Sequence, residues 1–116
     1  MITQNLKIYK VALDLGVYIE QIVKSMDRYY KYTIGSDLRN FSKDILFLIN
    51  RANLSKDIKR IEYLTLLRDT SEDLKILIYL TKELKAFKSF KQFENSVKFI
   101  FQICKQAQGW LNSCQN

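Results

Sequence analysis

The 116-residue chain contains no proline and no histidine, only three glycines and two cysteines, and no long apolar run. Without proline, nothing forces a helix to break. Without histidine, the chain lacks the usual general base, the commonest metal ligand and the side chain that titrates near neutrality. Cys104 and Cys114 are too few for a disulfide scaffold. They have no CxxC spacing and no histidine beside them, so two reduced structural thiols are expected rather than a metal site. The longest apolar runs, 45–49 and 76–80, fall far short of the roughly 20 residues that span a bilayer, so no membrane partner is expected. The opening MITQNLKIYK lacks a basic segment followed by an apolar one. No signal peptide is expected, and the expected compartment is the cytoplasm.

The motifs of common enzyme classes are missing too. There is no GxxxxGK[ST], GxGxxG, GxSxG or HExxH. Metal-dependent nucleotidyl transfer needs clustered carboxylates, and the adjacent Glu72 and Asp73 diverge on a helix. Helical ribonucleases built on an Arg and His pair are excluded by the missing histidine. The expectation is a non-enzyme with no cofactor and no metal.

What is present is helical patterning and positive charge. Hydrophobic residues make up 47% of the chain, and 19 Lys and Arg against 12 Asp and Glu give a net charge of +7. The charge is spread over both halves, with no tail, linker or internal repeat. Period-3.6 patterns predict four helices, at about 4–28, 34–53, 55–85 and 90–112. The first aligns Ile8, Val11, Ala12, Leu15, Ile19, Ile22 and Met26. It ends before Tyr29-Tyr30-Lys31-Tyr32, read as a bulky connector. The second aligns Ile34, Leu38, Phe41, Ile45, Leu48, Ile49 and Ala52 behind an expected Thr33 N-cap. Ser55 is the expected cap of the third. In that helix, 64–67 and 76–80 also fit short strands, but no Gly or Pro punctuates them and charged pairs flank them. The fourth opens on a capping box, Ser89-Phe90-Lys91-Gln92, and aligns Phe93, Val97, Ile100, Cys104, Ala107 and Leu111. Short connectors imply one all-α domain over 1–116, an antiparallel up-down-up-down four-helix bundle.

The apolar sectors are wider than a monomeric bundle needs. On the fourth helix, Phe99, Ile103 and Trp110 flank the core stripe on one side and Phe90 and Phe101 on the other. That sector covers roughly 200°. The first helix has a second stripe of Leu6, Leu13 and Val17, and Phe47 points away from the stripe of the second. The third is apolar almost all round between Leu74 and Leu84. Two readings follow: scattered surface hydrophobes on a monomer, or a homo-oligomer joined through its outer faces. The summed patch favours the oligomer. Its interface candidates are Leu6, Leu13, Val17, Phe47, Phe99, Phe101 and Trp110.

More than half of the net charge lies in 82–105, where Lys82, Lys85, Lys88, Lys91, Lys98 and Lys105 face only Glu83 and Glu94. Lys91, Lys98 and Lys105 recur at heptad spacing on the polar face of the fourth helix. Such a row is either a solvated surface or a phosphate-binding face for RNA or DNA. Arg39, Arg60, Arg68 and Lys75 form a second candidate set. Tyr29, Tyr30 and Tyr32 beside Lys31 are either half-buried loop anchors or base-stacking groups.

Several segments, taken in order from Tyr32 to Asn112, resemble one family. Tyr32-Thr33-Ile34-Gly35-Ser36-Asp37-Leu38 resembles the Y-x-L-G-x-x-L opening of the second helix in accessory variability determinant (Avd) proteins. Leu48-Ile49-Asn50-Arg51-Ala52-Asn53 resembles their L-I-x-x-A-N helix ending. Arg68 followed by Leu74-Lys75-Ile76-Leu77-Ile78-Tyr79-Leu80 resembles their L-x-x-L-R-x-L-L-R-L run, with Lys75 and Tyr79 departing from it and thinning the basic row. Gln108-Gly109-Trp110-Leu111 resembles their G-G-W-L close, with Gln108 in place of one glycine. The resemblance implies a non-catalytic four-helix bundle that forms a basic homopentamer. Such proteins bind nucleic acid and the reverse transcriptase of a diversity-generating retroelement, supporting mutagenic copying. The wider family includes the four-helix-bundle proteins of 23S ribosomal RNA intervening sequences. That kinship implies the alternative of a structural or protein-interaction module with no reverse-transcriptase partner.

Overall fold

The structure, a computed structural model, describes residues 2–115. Four long helices account for most of it: α1 (Lys7–Ser25), α3 (Ile34–Leu54), α4 (Asp57–Glu83) and α5 (Phe90–Gln115). A one-turn helix, α2 (Arg28–Lys31), links α1 to α3, and a 3₁₀ turn, Thr3–Asn5, precedes α1. No strand occurs among the described residues, so the runs 64–67 and 76–80 are helical. No described helix is long and apolar enough to cross a membrane.

Each long helix turns one stripe inward. In α4 the buried positions are Leu64, Leu67, Ser71, Leu74, Ile78 and Thr81, a strict alternation of three and four. In α5 they are Phe93, Ser96, Ile100, Ile103, Cys104, Ala107 and Leu111. Ile103, expected beside the stripe, lies within it and is wholly buried. α1 packs on α3 and α5, and α4 packs on the same two, while the backbones of α1 and α4, and of α3 and α5, stay apart. All four long helices thus enclose one core in a rod of 44 × 22 × 21 Å. Small hydroxyls interrupt the apolar stripes at Ser42, Ser71, Thr81 and Ser96. Each donates to the carbonyl four residues back at 2.7 Å. Their polar atoms are therefore satisfied within their own helices, at little cost to burial.

The helix ends depart from the sequence reading. The first helix is shorter than 4–28, because Leu6 and Met26 are both extended. The Thr3 hydroxyl holds the entering segment by donating to Asn50 Oδ1 and accepting from Asn53 Nδ2, both at 2.9 Å. The tyrosine connector contains the helical turn α2, and Tyr30 anchors it by donating its hydroxyl to the Leu84 carbonyl at 3.2 Å. Thr33 precedes α3 but does not cap it with its side chain; its hydroxyl turns back to the Tyr29 carbonyl. Ser55 closes α3 rather than opening α4, whose first flanking residue is Lys56. The capping box of α5 is displaced by one residue. Gln92 N–H donates to Ser89 Oγ, but the Gln92 side chain accepts from Lys88 N–H. At the end of α4, Lys85 N–H and Ala86 N–H donate to the Lys82 and Thr81 carbonyls, a Schellman motif. That motif holds Lys85 in the left-handed region at φ 59°, a place where glycine is the unstrained residue.

Gly35 marks the tightest junction. A Cβ there would lie 2.9 Å from both the Tyr30 carbonyl oxygen and Val23 Cγ1, and 3.2 Å from Met26 Sδ. Gly109, in contrast, has open space where a Cβ would go. Gly35→Ala is expected to lower stability by about 1–3 kcal/mol through overpacking. Gly109→Ala is expected to raise it by about 0.5–1 kcal/mol through helix propensity. Urea unfolding of both variants measures the two shifts, and like signs would contradict this packing.

Candidate nucleic-acid interface

Four cations proposed from sequence have partners within the fold. Arg39 forms a two-pronged pair with Glu20, at 2.9 Å from Nε and 2.7 Å from an outer nitrogen, across the α1/α3 seam. Arg60 donates to the Ala52 and Asn53 carbonyls at 2.9 and 3.0 Å. It thereby caps the C-terminal end of α3, where the helix dipole favours a cation. Arg68 pairs with Asp69 at 3.1 Å, and Lys75 with Glu72 at 2.7 Å. Arg39 and Arg60 lie at other seams and do not join the α4/α5 surface.

Lys91, Lys98 and Lys105 do form a row. All three are exposed on α5, on the side opposite Ile100 and Ala107. None forms an ion pair among the described residues. A second heptad row, Arg68, Lys75 and Lys82, runs along the α4 flank that meets α5. The sequence reading selected only two of its members. The spacing of seven from 68 to 82 was the signal for the third. Two α5 rings meet the second row: Lys75 Nζ sits 5.0 Å from the centre of the exposed Phe101 ring, and Lys82 Nζ 5.1 Å from that of the buried Phe93. The α5 row thus follows the outward ridge of that helix, where Lys105 also lines a cleft with Lys7 of α1, while Lys75 and Lys82 lie at the adjoining α4/α5 seam.

A polar relay stiffens the middle of that seam. Glu72 pairs with Lys75 at 2.7 Å and interacts with the neighbouring Cys104 thiol. The Lys75 ammonium, then the thiol, hold the Glu72 carboxyl below its ordinary range. Burial first, then the Glu72 contact, pushes the Cys104 thiol up to about 12. Cys104 is therefore a protonated, buried group. At one end of the bundle, Lys88 pairs with Asp27 at 2.9 Å and draws its carboxyl below the usual value. No group of three or more His, Cys, Asp or Glu residues among those described is placed to hold a metal ion.

The proposed interface residues divide into two kinds. Leu13, Val17, Phe47 and Phe101 are exposed. Leu6, Phe99 and Trp110 are only partly exposed and pack against their own core. Leu13, Val17, Gly16 and Leu46 line a shallow apolar groove of about 270 Å³ between α1 and α3. Beyond the expected set, α4 exposes Ile58, Leu66, Ile76 and Leu80. Tyr29 and Tyr32 are strongly exposed, whereas Tyr30 packs against the core. No protein-family model matches the chain, and no curated protein does.

Two outcomes follow from the relay. Iodoacetamide at mildly alkaline pH should modify Cys114 at least about tenfold faster than Cys104, read by mass spectrometry of the labelled peptides. Stability should also fall at both pH extremes. The lowered Glu72 value means that its contribution exists above the ordinary carboxyl pKa of 4.5 and is lost as pH drops through the folded value. The raised Cys104 value means that the fold holds a proton that the unfolded chain releases above 9.0. Its contribution is intact below 9.0 and disappears as pH climbs toward about 12. Thermal melts across pH should show both slopes, and Glu72→Gln should flatten the acid one.

Proposed function

We propose that this chain is a non-catalytic, Avd-like accessory protein that binds RNA or DNA through the α4/α5 face and serves a reverse transcriptase. The observation that carries this reading is the unpaired row Lys91, Lys98 and Lys105 beside the second row of Arg68, Lys75 and Lys82. Successive row members are about 10.5 Å apart on a straight helix, giving each row a reach of about 21 Å. Cations fixed along a rigid rod attract a polyanion by releasing its counterions, with little sequence readout. The reverse-transcriptase partner and the cytoplasmic setting rest on the sequence resemblance alone.

The reading includes an antiparallel up-down-up-down bundle. The contacts that support it run in opposite order along paired helices: Thr3 with Asn50 and Glu20 with Arg39 between α1 and α3, and Lys82 with Phe93 and Lys75 with Phe101 between α4 and α5. It also includes a homo-oligomer, with five copies supported by the resemblance alone. Exposed Leu13, Val17, Phe47, Ile58, Leu66 and Ile76 supply apolar surface for it. Assembly multiplies the net charge of +7 by the copy number.

The same apolar surface favours a second reading, a protein-interaction module whose positive charge serves solubility. A titration against a short RNA separates the two. The first reading expects binding that weakens steeply as salt rises. Substituting Lys91, Lys98 and Lys105 together with Glu should abolish most of the affinity and cut the salt slope by about two to three. Absence of binding at low salt, or binding without a salt slope, would favour the interaction module. Light scattering should give a mass that is a multiple of 13.8 kDa; a monomer at micromolar concentration would defeat the assembly.

A further inference from the structure

The turn between α4 and α5 encloses a cleft of about 270 Å³, with Lys82, Lys85, Phe87, Phe90 and Phe93 among its walls. Phe93 forms its buried floor and meets the other two rings at centroid distances of 6.2 Å to Phe87 and 5.6 Å to Phe90. Phe90 stands at the mouth and is 62% exposed. A smaller residue at that position would leave the core closed, so the fold alone does not require an aromatic ring there. Lys85 is similarly unnecessary to the scaffold. Its left-handed backbone would be relaxed by glycine, yet the chain places an ammonium group there.

The charges around the cleft are specific in their availability. Lys88 is committed to Asp27. The nearest acid to Lys82 is Glu83, at a loose 3.9 Å, and Lys85 has no ion pair among the described residues. Two of the first amides near the α5 start are already satisfied by Ser89 and Gln92. An anion in the cleft therefore meets ammonium groups. The unpaired Lys85 and the loosely paired Lys82 beside an open aromatic face fit an anion that carries a planar π system. The outer row Lys91, Lys98 and Lys105 leads directly away from the cleft along α5.

We infer that this cleft takes an unpaired base of a single-stranded nucleic acid. Phe90 stacks on the base, Lys82 and Lys85 hold the neighbouring phosphates, and the strand continues along the α5 lysines. This rests on the proposed nucleic-acid role and sharpens it to single strands over duplexes. A duplex offers phosphates to the lysines but keeps its base faces stacked inside, out of reach of Phe90.

Fluorescence anisotropy tests this with a labelled, unstructured DNA single strand, an RNA strand of the same sequence, and the blunt DNA duplex. Both single strands should bind about tenfold more tightly than the duplex. Phe90→Ala should remove most of that preference while leaving duplex affinity and the salt slope unchanged, and Phe90→Trp should restore it. Lys85→Gly should melt at a higher temperature than the parent yet bind single strands more weakly, separating the site from the scaffold. Equal affinity for strand and duplex, or an equal effect of Phe90→Ala on both, overturns the cleft. If the lysine-row substitution weakens binding while Phe90→Ala does not, the basic face stands and the cleft falls. If neither strand nor duplex binds, both fall.

Discussion

Four apolar stripes, one from each long helix, must meet along a single axis, and everything on the surface is positioned by that meeting. The chain has no disulfide among its described residues to hold the helices together, so burial of Leu, Ile, Val and Phe supplies the cohesion. A core of large side chains alone would leave little freedom to fit facing helices. Here Ser42, Ser71, Thr81 and Ser96 alternate with the large residues, and each returns its hydroxyl to its own helix. These positions gain small volume without leaving an unsatisfied polar atom. Among the described residues no buried side-chain nitrogen or oxygen lacks a partner.

That packing sorts the positive charges into two populations. Those near seams are used by the fold: Arg60 closes α3, Arg39 ties α3 to α1, and Lys75 joins the relay through Glu72 to Cys104. Those on the outward face of α5 have no such duty. Exposed ion pairs contribute little to stability, so pairing Lys91, Lys98 and Lys105 with acids would have been a nearly neutral change for the fold. The row is thus unforced by folding, whereas Arg60 is required by it. An arginine in a basic sequence is not by itself a ligand-binding residue; its partners decide.

The helical stripes were legible because period and burial coincide. Ile8, Leu15, Leu38, Ile45, Ile100 and Leu111 lie where the pattern puts them. Helix ends were less legible, since they depend on backbone turns that residue type only biases. Thr33 and Ser55 are good capping residues, but one hydroxyl is taken by the preceding turn and the other residue ends a helix instead of starting one. The lysine row was readable because it lies on one helix. The cleft was not, because it depends on a left-handed Lys85 and on Phe87, Phe90 and Phe93 converging across a turn. Partial burial of Leu6, Phe99 and Trp110 was also hidden, since a helical wheel does not show how widely neighbouring helices wrap.

Most exposed apolar side chains lie on α1, α3 and α4, whereas the unpaired lysine row lies on α5, and that separation bears on how they work together. On α4 the side facing away from Leu67 and Leu74 carries Ile58, Leu66, Ile76 and Leu80, but also Glu62, Asp69 and Asp73. Glu62 and Asp69 are paired with Lys59 and Arg68, but Asp73 has no ion pair among the described residues and, left open to solvent, would repel a polyanion approaching the neighbouring helix. Packing that side against another copy removes both the apolar patch and the accessible negative charge, while the α5 lysines stay outward. In the proposed assembly, association and nucleic-acid binding are therefore mutually reinforcing: covering α4 strengthens the positive field over α5, with no lysine being moved.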